Sequence, residues 1–162
     1  MKKILLFTAP VYRRLTDMKC TIIFVSPNGT TKASAKLLKE EFEKDAHTVQ
    51  LFDIGSGELR HDLSPVLQTL KGSDLALFGA PAYHMDMLSP MHKLFSQMEQ
   101  DRGDFTCTAL LLLNYAGITS GKAFLNAFRS LQNAGVQVAG ALKISAPHFH
   151  HADQFPTNQT SS

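Results

Sequence analysis

Thr21-Ile22-Ile23-Phe24-Val25, followed by Ser26-Pro27-Asn28-Gly29-Thr30-Thr31 and by the segment from Lys32 to Lys44, decides the fold of this chain. The first five residues include β-branched and aromatic side chains in an unbroken run, which predicts a strand covered on both faces. In the last segment, Ala35, Leu38 and Phe42 share one face while charged residues point away, which predicts an amphipathic helix. The whole stretch is therefore predicted to be a strand, a tight turn and a helix.

The turn has the composition of an anion-binding loop. A strand that leads into a helix points free backbone N–H groups and the positive end of the helix dipole at one spot, where a phosphate is favoured. Ser26, Asn28, Thr30 and Thr31 add side-chain donors, and Gly29 lets the backbone come close to a ligand. These five residues are the predicted phosphate ligands. The same residues also suit a capped turn that holds no ligand.

The rest of the chain repeats the alternation of strand and helix. Two further apolar strands are predicted at Leu75–Gly79 and Thr108–Leu113, and two alternating strands at His47–Ile54 and Val136–Ile144. The last strand is expected to place five residues on one face: Val136, Val138, Gly140, Leu142 and Ile144. With helices between the strands, right-handed crossovers predict an α/β fold, a doubly wound parallel sheet in the order 2-1-3-4-5. In that order the alternating strands are the edges, and a ligand binds beyond the ends of strands 1 and 3.

Composition narrows the possible classes of function. The chain has 162 residues, of which 44% are hydrophobic and 19% charged, as expected for one globular domain with a core. The net charge of +2 is unclustered, so nucleic acid is not an expected partner. No apolar run is long enough to cross a membrane, so no membrane association is expected. Cys20 and Cys107 lie in predicted strands, as buried thiols do in the reducing cytoplasm, which is the expected location.

The turn also resembles a known family. Ser26-Pro27-Asn28-Gly29-Thr30-Thr31 is similar to the Ser/Thr-x-Thr-Gly-x-Thr phosphate loop of flavodoxins, with Asn28 in place of a threonine. The closest resemblance is to the flavodoxin-like half of bacterial flavodoxin–ferredoxin fusion proteins, carried by Ile22–Ala35, Gly79–Tyr83 and Leu113–Ala146. This resemblance implies a flavodoxin-like domain at residues 18–146. Met18-Lys19-Cys20 has the pattern of a natural start, which predicts an N-terminal extension at residues 1–17, and the composition of residues 147–162 predicts a polar C-terminal tail.

The resemblance implies that FMN is bound non-covalently, with its phosphate in the loop. In flavodoxins the loops after strands 3 and 4 each supply an aromatic residue beside the flavin ring, and Tyr83 and Tyr115 occupy those places. Further cofactor contacts are implied in the same two loops, at Pro81, Ala82, Asn114 and Gly117. No catalytic residue is implied, and the histidines near the C-terminus lack the carboxylate or thiolate partners of a metal site.

Two departures from the family affect the expected function. The cysteine-rich second half of the fusion proteins is absent from this sequence, and the residues after Ile144 do not have the pattern of a fifth helix. One side of the sheet is therefore expected to be covered by the Ile4–Phe7 segment or by a second subunit, so a homodimer is possible. The expected function is electron transfer to a redox partner protein or a small acceptor. The alternatives are an NAD(P)H-dependent flavin or quinone reductase and a truncated, non-catalytic interaction domain.

Overall fold

The computed structural model describes residues 17–82, 87–115 and 121–145, without the side chains of Tyr115 and Ser145. In these ranges, five strands alternate with four α-helices. The strands are β1 (Lys19–Phe24), β2 (Thr48–Asp53), β3 (Leu75–Ala82), β4 (Thr108–Tyr115) and β5 (Gln137–Ser145). The helices are α1 (Thr30–Lys44), α2 (Ser64–Lys71), α3 (Ser89–Gln100) and α4 (Gly121–Asn133). A short 3-10 turn, Glu58–Arg60, lies between β2 and α2.

The five strands form one parallel sheet in the order β2-β1-β3-β4-β5. The predicted fold class and the predicted strand order are thereby confirmed. The two strands with alternating sequences, β2 and β5, are the edges of the sheet, as expected when only one face of an edge strand meets a full core.

Helices cover both faces of the sheet. On one face, α1 packs on a small core of buried residues: Cys20, Ile22, Phe24, Ala35, Val49 and Leu77. On the other face, α2, α3 and α4 pack on a larger core that includes Ile23, Phe78 and Leu111. Because β1 and β3 are buried on both sides, neither can alternate with polar residues, and this explains their unbroken apolar sequences.

Strands β3 and β4 extend further than their apolar sequences indicated. The predicted loop residues Pro81 and Ala82 belong to β3, and Asn114 pairs with Pro81 across the ladder. A proline is tolerated at this point because β1 pairs with β3 only as far as Gly79. Beyond Gly79 the described part of β3 has one neighbouring strand, so the missing N–H group of Pro81 breaks no hydrogen bond on the β1 side.

The expected alternation of β5 is wrong in its second half. Val138 pairs with Ala109 and Gly140 pairs with Leu110, so Ala139 is an extra residue in a β-bulge. The bulge reverses the faces of the residues that follow it. Val138 and Ala141 therefore pack on the larger core.

Leu142 lies on the opposite face of the sheet, the face on which α1 packs, and the residue is 43% exposed. Helix α1 lies over β1 to β4, and no other helix in the described ranges packs on that face. The predicted covering segment Ile4–Phe7 and the residues after Ser145 lie outside the described residues. Separately, the described helices include none that is both long and apolar enough to cross a membrane.

Candidate functional site

The loop between β1 and α1 lies at the switch point of the sheet, where the connections that leave two neighbouring strands lead to opposite faces. β1 is followed by α1 on one face, and β3, its neighbour, is followed by α3 on the other. The loop begins at Val25, whose N–H donates to the Gly79 carbonyl oxygen of β3 at 2.9 Å. The carboxyl ends of β1 and β3 therefore hold the loop at the position where doubly wound sheets bind their ligands.

Backbone geometry in the loop depends on Gly29 and Ser26. Gly29 precedes the first residue of α1 with φ of 81°, in the left-handed region that glycine favours. Ser26 Oγ accepts a hydrogen bond of 3.0 Å from the N–H of Lys32. Ser26 thus caps α1 from a distance and keeps its own hydroxyl proton free to donate to a ligand.

Two threonines fill the first turn of α1. Thr30 is 8% exposed and Thr31 is fully buried. The hydroxyl oxygen of Thr31, Oγ1, has no hydrogen-bond partner among the residues that the structure describes. Their backbone N–H groups also lack acceptors within the helix, because they belong to its first turn. A buried hydroxyl without a partner is unfavourable by about 1–3 kcal/mol, so this turn is suited to an acceptor that the chain does not itself provide.

Gly79 brings α1 close to the sheet. A Cβ atom at Gly79 would lie 3.1 Å from Cγ2 of Thr31 and 3.3 Å from Cβ of Phe24. Glycine at this position lets the first turn of α1 rest on β3. The position of Thr31 therefore depends on a residue of β3 as well as on its own loop.

The end of β4 reaches the same turn through a buried polar contact. Asn114 is 3% exposed, and its Nδ2 donates to Ser34 Oγ at 3.5 Å. Ser34 Oγ in turn donates to the Thr30 carbonyl oxygen at 3.1 Å. The other amide atom of Asn114, Oδ1, has no hydrogen-bond partner in the described ranges. Ser34 is not among the site residues predicted from the sequence, although it is a small polar residue on the buried face of α1.

The structure brings together most of the residues predicted for the loop and the strand ends. Ser26, Gly29, Thr30, Thr31 and Asn114 meet around the first turn of α1. Asn28 is exposed in the turn. Pro81 is buried and Ala82 half-buried at the end of β3.

The predicted contacts to the flavin ring fall largely outside the described residues. Tyr83 and Gly117 lie outside them, and Tyr115 is described by its backbone alone. Whether these three residues meet a ring stays a prediction.

Thiol and metal chemistry have no support in the described residues. Burial raises the pKa of the Cys107 thiol, and burial together with the Asp74 carboxylate raises the pKa of the Cys20 thiol. Both cysteines are free and buried, so neither is a nucleophile near neutral pH. The described ranges contain no group of three or more histidine, cysteine, aspartate or glutamate residues that could hold a metal ion. The C-terminal histidines lie outside these ranges.

Solved structures with this architecture include flavodoxins. The two-electron reduced flavodoxin of Megasphaera elsdenii aligns with this chain with a TM-score of 0.63 and 18% sequence identity. The alignment covers 85% of this chain and 90% of that flavodoxin. A flavodoxin from the domain Archaea aligns with a TM-score of 0.60 and 19% sequence identity, over 79% of this chain and 85% of the archaeal one. An NADH:FMN oxidoreductase in its apo form aligns with a TM-score of 0.63 and 16% sequence identity, over 79% of this chain and 75% of the oxidoreductase.

The fold of this protein is the flavodoxin-like fold. The identities are too low for these likenesses to extend beyond the fold, and they do not support the predicted relation to flavodoxin–ferredoxin fusion proteins in particular. No protein-family model and no curated protein matches the sequence.

Proposed function

We propose that this protein binds FMN non-covalently at the β1–α1 loop and passes electrons to a redox partner protein or a small acceptor. The observation that carries the proposal is the buried hydroxyl of Thr31, which has no partner and lies in the first turn of α1. A phosphate at this turn would accept hydrogen bonds from that hydroxyl and from the backbone N–H groups of Thr30 and Thr31. The free proton of Ser26 and the side-chain amide of Asn28 would complete the set of donors.

The residues present fit a phosphate better than they fit an empty turn. Gly29 has no side chain to block the approach of an anion, and the dipole of α1 adds a favourable field at its N-terminus. The first turn of α1 contains no acidic residue that would repel a phosphate. The capped turn without a ligand, which the sequence left open, would leave the Thr31 hydroxyl permanently unpaired.

The flavin-specific part of the proposal rests on the ends of β3 and β4. Asn114 Oδ1 can only accept a hydrogen bond, so it suits a hydroxyl of the ribityl chain that joins a flavin to its phosphate. Tyr83 and Tyr115 would flank the ring and exclude water from it. When bound, FMN would supply the electron-transfer chemistry, and the protein would bind and orient it.

The fit of FMN to the site is the one observation that favours an electron-transfer role over a purely structural role. The fold also occurs in an NADH:FMN oxidoreductase, and an NAD(P)H-dependent reductase is therefore the alternative enzyme.

The two free, buried cysteines suit a reducing compartment such as the cytoplasm.

The test is a titration of the purified full chain with FMN, followed by removal of free flavin and an absorbance spectrum. We expect retained flavin absorbance, and weaker binding of riboflavin, which lacks the phosphate. Thr31→Val should raise the Kd for FMN at least about tenfold, because it removes a hydrogen bond to a charged group. The matched control is Thr48→Val at the exposed start of β2, which should leave the Kd unchanged.

Each alternative has its own outcome in this test. A folded protein that retains no flavin would refute the proposal and favour a non-catalytic interaction domain. Steady oxidation of NADPH in the presence of a quinone would instead assign the flavin-loaded protein as a reductase.

A further inference from the structure

Asn28 and Gly29 form the one Asn-Gly pair in the sequence. Asn28 is exposed in the turn before α1, and Gly29 is half-buried. An asparagine side chain cyclises most readily when glycine follows it, because glycine has no side chain to shield its backbone nitrogen. The β1–α1 loop therefore contains a reactive side-chain amide at a position that solvent reaches.

The backbone nitrogen of Gly29 is held only weakly. Its N–H donates to the Ser26 carbonyl oxygen at 3.4 Å, which is longer than the usual N–H···O hydrogen bond. A second exposed asparagine, Asn133, ends α4 and is followed by Ala134. The Ala134 N–H donates to the Ser130 carbonyl oxygen at 3.0 Å, as in a helical ladder. Of these two asparagines, only Asn28 precedes a nitrogen that is both unshielded and weakly bonded.

We propose that Asn28 is a site of spontaneous deamidation, which converts the loop from a form that binds FMN to a form that repels its phosphate. The backbone nitrogen of Gly29 attacks the side-chain carbonyl carbon, Cγ, of Asn28. A new N–Cγ bond forms, the Cγ–Nδ2 bond breaks, and ammonia leaves with the proton of the Gly29 N–H. Water then opens the resulting succinimide and leaves aspartate or isoaspartate at position 28. The only co-reactant is water, and no electrons are transferred.

The product carries a negative charge where the proposed site needs a donor, so the inference rests on the proposed function of the loop. The Asn28 amide would donate to the phosphate, whereas a carboxylate only accepts hydrogen bonds. The first turn of α1 contains no acidic residue, so the new carboxylate would take the favourable place beside the helix dipole that the phosphate otherwise fills. A bound phosphate would hold the Asn28 amide and protect it from cyclisation.

The test is incubation of the purified full chain at mildly alkaline pH, with and without FMN, followed by peptide mass spectrometry and FMN titration. We expect conversion at Asn28, slower conversion when FMN is present, and no conversion at Asn133 in the same digest. The Kd for FMN should rise at least about tenfold on complete conversion, because a donor to phosphate is replaced by a like charge. Asn28→Asp should reproduce this Kd without a lower unfolding midpoint in urea. The matched control is Asn28→Gln, whose longer side chain cyclises less readily, so that its Kd should stay constant during incubation.

The outcomes separate this inference from the proposed function. Conversion at Asn28 that is no faster than at Asn133 would overturn the inference and leave FMN binding intact. Conversion that leaves the Kd for FMN unchanged would also overturn it. If the unmodified protein does not bind FMN, the proposed function fails, and inorganic phosphate is the remaining probe. Phosphate that slows the conversion and binds less tightly to Asn28→Asp would then support the switch, and phosphate without either effect would refute it.

Discussion

At Thr31 the fold favours an apolar side chain, whereas the proposed function requires a hydroxyl. Its side chain is fully buried between α1 and the sheet, and its methyl group faces Gly79. Its hydroxyl oxygen, Oγ1, forms no hydrogen bond within the described part of the chain. A hydrophobic residue of the same shape would suit the fold better, whereas the proposed phosphate would give the hydroxyl a partner.

Thr31→Val is therefore expected to stabilise the flavin-free protein by about 1 kcal/mol while it weakens FMN binding. Valine keeps the shape of the side chain and has a similar helix propensity. Urea unfolding of the flavin-free variant and wild type measures this difference. A lower stability of the variant would contradict the expectation, because it would mean that the hydroxyl is already satisfied.

Gly29 makes a separate prediction about the loop backbone. At φ of 81°, an alanine would be strained by about 1–2 kcal/mol. We expect Gly29→Ala to lower the free energy of unfolding by that amount and to weaken FMN binding. The control is Gly72→Ala, where φ is −102° and a Cβ would make only an ordinary contact at 3.7 Å. Equal losses of stability in the two variants would contradict the assignment of strain to Gly29.

Among the elements, the contact between α1 and β3 decides the shape of the site. Gly79→Ala would place a Cβ within 3.4 Å of Thr31, Phe24 and Leu112. We expect a loss of about 1–3 kcal/mol in stability from overpacking, together with weaker FMN binding as α1 is displaced. Gly140→Ala in β5 is the control, because its Cβ would come no nearer than 4.0 Å to Leu110. Thermal unfolding of both variants tests the difference, and a harmless Gly79→Ala would show that α1 does not need this close approach.

The sequence predicted the elements and their order because each depends on local spacing. The apolar run at Ile22–Val25 and the helical spacing of Ala35, Leu38 and Phe42 are such local signals. The bulge at Ala139 carried no signal, because register depends on how β4 pairs with β5. The contact between Ser34 and Asn114 was equally hidden, since 80 positions separate the two residues. The phosphate loop was readable because its donors are contiguous in the chain.

On the scale of the whole molecule, both thiols are predicted to be inert. Burial raises the pKa of Cys20 and Cys107 above its ordinary value, so both stay protonated near neutral pH in the folded state. We expect slow reaction with a thiol reagent at pH 7.5 and rapid reaction of both cysteines after unfolding in urea. Rapid modification of the native protein would contradict the burial of these two residues.

The same shifts set the sign of an alkaline effect on stability. Because folding raises the thiol pKa values, the folded state favours the protonated thiols. This contribution is present below the ordinary thiol pKa and is lost as the pH rises through the raised values. Unfolding midpoints in urea are therefore expected to fall as the pH increases above the ordinary thiol pKa. Replacement of both cysteines by alanine should reduce that slope.

The bulge at Ala139 also bears on how the protein behaves in a crowded solution. An edge strand with regular pairing groups is a template onto which another chain can add a strand, and repetition of that step leads to aggregates. A bulge twists the strand and interrupts the row of free backbone groups. The extra residue in β5 is therefore expected to hinder strand addition at this edge of the described sheet, which carries the exposed Leu142. Removing Ala139 would flatten the edge and make the chain prone to self-association.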